Sequence, residues 1–447
     1  MVTQCSTPFL FQFQPRIALD FDGGALSSDA GLIVLRELDE RLRLTRDLEG
    51  LLEDSRDARY VQHSSAEMAR QRLYQIAAGY EDAVDANLLR KDPTLRLLVH
   101  PERPEGALAS QPTLSRLENR ASWNDVRRLA DLSLKWFLRH GTRLREAETQ
   151  EILLDADSTE DPTHGQQQLA LFHGKYGTYM YQPLLIFEGR TGYLLASRLR
   201  PGTVPDAEGI LPELKRLVPQ LRKRFPKAPI RFRADAGFSA PGLYDHLEAE
   251  SIDYLIGIPA HTCFEPWLTP LLERAKQRFA DTGEPVRIFS SFRYQARRWP
   301  RRRRILVKVE VNPLGTNVRC VITNRYGRAA ELFALYQGRG EVENRIDELK
   351  NGLKADRLSC SRYRANAFRL QLHSLAYNLM NFLHHALRGT DLARAETSTL
   401  RLKLFKIAAR VHVSTRRIWF HLSSSWPLRS LFYEALEAVR RCEPLPA

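Results

Sequence analysis

The sequence predicts a mixed α/β core flanked by helices, and three observations lead there. Apolar strand-like runs alternate with amphipathic helices between about residues 151 and 258. Several helical patterns precede that region, and two more follow it. The chain has 447 residues and is 43% hydrophobic, enough for more than one buried core and too apolar for global disorder.

Residues 1–145 read as a helical domain. ALSSDAGLIVLRELDERLRL offers Ser and Asp as N-caps before a helical apolar pattern. VQHSSAEMARQRLYQIAAGY repeats that layout, with Met68, Leu73 and Ile76 as core residues. ASQPTLSRLENR carries a Pro at a helix start, and RRLADLSLKWFLRH continues as an amphipathic helix.

From 146 to 258 the pattern changes. EILLDAD, YQPLLIFE and GYLLASRL read as strands, the last two joined through EGRTG as a hairpin. AEGILPELKRLVPQLRKRF is helical, with Pro212 and Pro219 expected to trim or kink it. IRFRADAG is a strand, GLYDHLEAE a helix and DYLIGIP a strand. Residues 259–330 read as a mainly β insertion, with strands at RIFSSFRYQA, RRILVKVEV and VRCVITNR. Residues 331–390 supply two helices, one from about Ala330 to Leu358. Residues 391–447 form a basic helical tail, with an amphipathic helix around Leu431.

The formal net charge is +14, the footprint expected of a protein that meets phosphate. A membrane partner is disfavoured, because no apolar run approaches the roughly 20 residues needed to span a bilayer. The first residues, MVTQCSTPFLFQFQPR, lack the basic start of a signal peptide. Five scattered cysteines (Cys5, Cys263, Cys320, Cys360, Cys442) form no CxxC pair and read as buried or half-buried thiols in a reducing cytosol. In RYQARRWPRRRR, Arg293, Arg297, Arg298, Arg301, Arg302, Arg303 and Arg304 crowd one segment without an acidic residue, as a phosphate-binding patch would.

Three acidic positions stand out by their placement. Asp155 and Asp157 in EILLDADSTED project to the same face of a strand. Asp235 ends a second strand, where ligands gather in open α/β sheets, although a turn-forming Asp is also common there. In YQGRGEVENRIDELKNGLK, helical spacing brings Tyr336, Arg339, Glu343 and Lys350 within an arc of about 60°. Val342, Ile346, Leu349 and Leu353 form the adjoining apolar stripe, and Glu341 and Glu348 point elsewhere. Gathering carboxylates costs free energy that a hard divalent cation removes, so the set suits Mg²⁺ or Mn²⁺.

These residues resemble a known family. Carboxylates on a first strand, after a fourth strand and on a late helix are similar to the ribonuclease H-like core of DDE transposases. Tyr336, Arg339, Glu343 and Lys350 match the YREK signature of the insertion-sequence 4 group. SSDAGLIVLRELDERL, VQHSSAEMARQRLYQIAAGYED, SQPTLSRLEN, LDADSTEDPTHGQQ, RADAGF and EVENRIDELK, in that order, resemble the insertion-sequence 1380 family over nearly the whole chain.

The resemblance implies a transposase acting on double-stranded DNA, its own terminal inverted repeats and a target, as a dimer that pairs two element ends. It implies Asp157, Asp235 and Glu343 as the catalytic, metal-holding carboxylates, with Asp155 open as an alternative to Asp157. Tyr336, Arg339 and Lys350 would contact DNA, joined by Arg298 and Arg301. Trp299 would stack on a flipped base or else sit exposed on a strand. His164 would lie near the site as a general base, a structural residue or a phosphate contact. Gln62-His63-Ser64 and Gln111-Pro112-Thr113 fall in the helical domain expected to read element ends. The setting implied is the bacterial cytoplasm, at the nucleoid. A ribonuclease H-like nuclease without strand transfer, or a catalytically silent DNA-binding descendant, would share many of these features.

Overall fold

The computed structural model describes residues 9–443 apart from 146 and 148. Contacts divide the chain into two compact units. One comprises the described residues up to 49, 54–115 and those from 386 onward; the other comprises 50–53 and 116–385. The five sequence segments therefore regroup, with the first and last described residues in one unit.

The larger unit is built on an eight-stranded mixed sheet. Its strands are β1 (Ile152–Ser158), β2 (Leu184–Glu188), β3 (Tyr193–Arg198), β4 (Ile230–Ala234), β5 (Asp253–Ile258), β6 (Val286–Tyr294), β7 (Arg303–Asn312) and β8 (Gly315–Thr323). The order across the sheet is β6-β7-β8-β5-β4-β1-β2-β3. Strand β4 runs parallel to both β1 and β5, and the remaining neighbours are antiparallel. Strands β1 to β5 are buried along nearly their whole length, which is why they read as continuous apolar runs rather than alternating ones.

Helices in this unit are α1 (Trp123–Leu144), α2 (Ile210–Arg224), α3 (Pro241–Ala249), α4 (Glu265–Thr282), α5 (Ala329–Gln337), α6 (Glu341–Asp347) and α7 (Tyr363–Ala386). Helix α1 starts at a capping box formed by Ser122 and Asp125. It packs on β3, where Tyr193 donates to the Ser133 carbonyl at 2.8 Å and Ser133 donates to the Leu194 carbonyl at 2.8 Å. Ser122→Ala is expected to cost about 1 kcal/mol, read as a lower thermal midpoint. Helix α7 is buried continuously from Ala365 to Leu383, and Asn378 closes both polar groups of Leu194. Helix α2 runs through both prolines. Pro212 lies in the first turn, where an amide proton has no intrahelical partner, and Pro219 is inside the helix.

The region expected to be an inserted β module differs in two ways. Its strands β6, β7 and β8 extend the central sheet from β5 rather than forming a sheet of their own. They are preceded by the 18-residue helix α4. Pro266 and Pro270 argue against a helix in the sequence, yet Pro266 sits in the first turn, which tolerates it.

In the smaller unit, Ser64 and Glu67 form the capping box of the helix Ser65–Ala78, whose Met68, Leu73 and Ile76 are buried. Asp29 stands at the N-cap of the turn Ala30–Leu32, but its side chain makes no capping bond. It is buried and pairs with Lys406 at 2.5 Å. The C-terminal region is not wholly helical: Ala409–Val413 and Ile418–Leu422 form a hairpin extended by Leu26–Ser27, and the helix Arg429–Arg440 follows. Cys320 is buried, Cys360 and Cys442 are half-buried, Cys263 is exposed against expectation, and Cys5 lies outside the described residues. Among the described residues no helix is long and apolar enough to cross a membrane.

Candidate functional site

Asp155 and Asp157 share one face of β1 but have different surroundings. Asp155 is fully buried and accepts two bonds from Arg233 of β4, from Nε and Nη2, both at 2.7 Å. Asp157 is buried less completely than Asp155, and Arg339 Nη1 donates to its Oδ2 at 2.9 Å. The other Arg339 nitrogen, Nη2, lies 3.0 Å from Glu343 Oε1. One guanidinium thus bridges a carboxylate on β1 and one on α6. Asp235 follows β4 and accepts from the Gly237 amide at 3.0 Å.

The electrostatics report the crowding. Burial, then the charges of Asp235 and Glu343, push the Asp157 carboxyl up to about 7, against the pull of Arg339 and the Ser158 amide. Asp235 is also raised, by burial first and then by Asp206. Burial opposes the charge on Arg339, but Asp157, Tyr336, Asp235 and Glu343 outweigh it and hold the guanidinium protonated.

The segment Tyr336–Lys354 is helical but not uniform. Helix α5 tightens into a 3₁₀ turn at Gly338–Gly340, α6 follows, and Glu348–Gly352 widens into a π turn. Lys354, at φ 54°, marks its end. Val342, Ile346, Leu349 and Leu353 are buried, as the apolar stripe requires. Tyr336 packs against the cluster of Leu255, Leu306, Val321, Leu332 and Phe333. Its pKa is raised by burial. Lys350 Nζ bonds the Glu160 carbonyl at 2.9 Å and its carboxylate at 2.8 Å. Arg339 thus reaches Asp157 near the end of β1 and Lys350 reaches Glu160 just beyond it, whereas Glu343 remains largely exposed.

The arginine segment divides. Arg293, Arg297, Arg298, Arg301 and Arg302 are exposed. Arg301 pairs with Glu248 at 3.3 Å, and Arg303 is buried between Glu248 and Asp245. Trp299 is neither exposed nor on a strand. It is 8% exposed, set edge-to-face against Tyr244 and Tyr294 with ring centroids 5.9 and 5.8 Å away, under the Arg303 guanidinium. The ring is therefore held in an aromatic cluster and is not presented at the surface for stacking on a base. Trp299→Phe is expected to lower stability by about 1–2 kcal/mol and leave DNA affinity unchanged, read by thermal melting and titration with duplex. His164 is exposed in the loop that follows Asp161–Pro162.

Two further residues belong to the site. Asp206, in the loop after β3, accepts from Ser158 and from Gln182, the latter at 2.5 Å, and its charge acts on Asp235. Lys175, on the hairpin Leu171–His173/Thr178–Tyr181, acts on Asp235 and Glu160. That hairpin exposes Phe172, Tyr176 and Tyr179. A lone Asp and a lone Lys in loops carried no sequence signal.

The donor set fits a hard divalent cation. Asp157, Asp235 and Glu343 offer carboxylate oxygens only, and the charges of Asp235 and Glu343, which add to burial in raising the Asp157 carboxyl, are of the kind such a cation relieves. The mixed sheet thus carries Asp157 and Asp235 at the ends of the parallel strands β1 and β4, with Glu343 of α6 tied to Asp157 through Arg339. Over residues 9–444 the chain matches the family model described as Transposase DDE domain group 1, and it belongs to that family of DDE transposases. No curated protein sequence matches it. Among solved structures, the cryo-EM structure of a piggyBac transposase synaptic complex with hairpin DNA is similar, with a TM-score of 0.44 and 12% identity, covering 84% of this chain and 79% of that one.

Proposed function

We propose that this DDE transposase belongs to the insertion-sequence 1380 family, with a ribonuclease H-like core and the YREK set of the insertion-sequence 4 group. It cuts DNA at the terminal inverted repeats of its own element and joins those ends to target DNA, working as a dimer in the bacterial cytoplasm. The observation that carries this reading is the Arg339 bridge between Asp157 on β1 and Glu343 on α6. It links carboxylates 186 positions apart in sequence (343 − 157), and the charge of Asp235 acts on Asp157.

In this reading Asp157, Asp235 and Glu343 would hold Mg²⁺, or Mn²⁺. When bound, such ions stabilise the attacking and leaving oxygens of a phosphoryl transfer. Each step exchanges one P–O bond for another: water cleaves a strand and leaves a 3′-OH, and that hydroxyl then attacks a target phosphodiester. Arg339 and Lys350 supply charge-assisted donors to phosphate oxygens, and Tyr336 supports the helix beside them. Arg298 and the other exposed arginines of that segment add electrostatic attraction to the backbone. Phe172, Tyr176 and Tyr179, on the hairpin that carries Lys175, are the aromatic surfaces suited to unpaired bases, in place of Trp299.

The test is purified protein with Mg²⁺, an element-end duplex and a target plasmid. Joined products are expected. Cleavage without joining would identify a nuclease, and binding alone a silent DNA-binding protein.

A further inference from the structure

We propose that His63, Glu67 and His100, in the smaller unit, form a binding site for a divalent transition metal of the zinc class. One ligand atom from each lies within 4.8 Å of the others. His63 directly precedes the Ser64 cap of the helix Ser65–Ala78, Glu67 is in its first turn, and His100 directly follows the helix Pro93–Val99. His100 is 2% exposed, and its Nδ1 lies 3.2 Å from Glu67 Oε1. The two imidazoles face one another at 6.0 Å and 23°. His63 Nδ1 is buried without a hydrogen-bond partner, an unusual state for a polar atom.

The surroundings favour a ligand set over a simple polar cluster. Glu67 Oε2 accepts from the Ser64 amide at 2.8 Å, which fixes the carboxylate and leaves Oε1 facing the histidines, as an outer partner orients a metal ligand. Arg103 Nη2 donates to that same Oε1 and lies 3.1 Å from His100 Nδ1. A cationic group thus already rests on two of the three donors. Arg103 is 49% exposed, so it can swing into water when a metal ion takes those donors. Two imidazole nitrogens and one carboxylate oxygen suit Zn²⁺ or Co²⁺ and not Mg²⁺, which prefers oxygen and keeps its water. The bound ion would tie the start of one helix to the end of another. The proposal is independent of the carboxylates of the larger unit.

The test uses the full chain, stripped of metal by chelation, held in excess Mg²⁺ and titrated with Co²⁺. One Co²⁺ per chain is expected, with visible d–d absorption that Zn²⁺ abolishes by displacement. His63→Gln should weaken binding by at least about tenfold. Arg103→Ala should tighten it, because a competing cation is gone, whereas a purely structural role for Arg103 predicts no gain. Glu343→Gln should leave the absorption unchanged. The proposal is overturned if neither the wild type nor Arg103→Ala takes up Co²⁺, if His63→Gln binds as tightly as wild type, or if Glu343→Gln removes the signal.

Discussion

Glu343→Gln is expected to lower strand joining by about 10³-fold or more while leaving element-end binding and folding intact. The size follows from the loss of one charged oxygen donor at a site where cation stabilisation of the transition state is worth several kcal/mol, each 1.4 kcal/mol being about tenfold. The sparing of the fold follows from exposure. The Glu343 side chain is 68% exposed and its one ion pair among the described residues is with Arg339, so its removal costs at most about 1 kcal/mol. Asp157→Asn and Asp235→Asn should lose joining to a similar degree. Asp157→Asn should not destabilise the protein, since burial and its acidic neighbours already disfavour that charge. Rates of joining with Mg²⁺, measured beside thermal midpoints, check both halves. A Glu343→Gln protein that joins DNA at the normal rate would move the third carboxylate elsewhere.

Much of this site could be read from residue order, because the groups that gather there sit on elements with strong local signals. Strands β1 to β5 are apolar runs closed by turn residues. The helical spacing of Val342, Ile346, Leu349 and Leu353 set which side of the segment faces the sheet, and so where Glu343 had to lie. Other features depended on partners distant in sequence. The choice between Asp155 and Asp157 could not come from strand parity, which puts both on one face. The register of β1 with β4 sets Arg233 opposite Asp155, and that pairing is why we propose Asp157 for the reaction. The burial of Trp299 depends on Tyr244 and Tyr294, and a basic neighbourhood concealed it. Asp206 is an isolated loop residue, brought in by the turn that follows β3. The C-terminal hairpin is a different case. Alternation in ARVHV and IWFHL was visible, and the helical pattern beyond it drew the whole region into one class.

The second large effect concerns Asp155. Asp155→Ala is expected to destabilise the larger unit by about 3–5 kcal/mol, because it strands the Arg233 guanidinium in the interior without its counter-charge. The pair does more than fill the core. Arg233 Nη1 also donates to the carbonyl of Leu335 in α5. The approach is close enough that a Cβ on Gly338 would lie 2.8 Å from that nitrogen, so a glycine stands where the helix tightens. Through Arg233, Asp155 on β1 fixes the segment that carries Arg339 and Glu343. Replacing both partners with apolar residues, as in Asp155→Leu with Arg233→Met, should recover much of the lost stability, since neither charge is then buried alone. Activity should not return with it, because the bond to Leu335 is gone. Urea denaturation of the single and double variants, set beside their joining rates, separates the two aspartates: Asp155 acts through the fold and Asp157 through the reaction. An Asp155→Ala protein as stable as wild type yet inactive would reverse that assignment and make Asp155 the carboxylate of the active site.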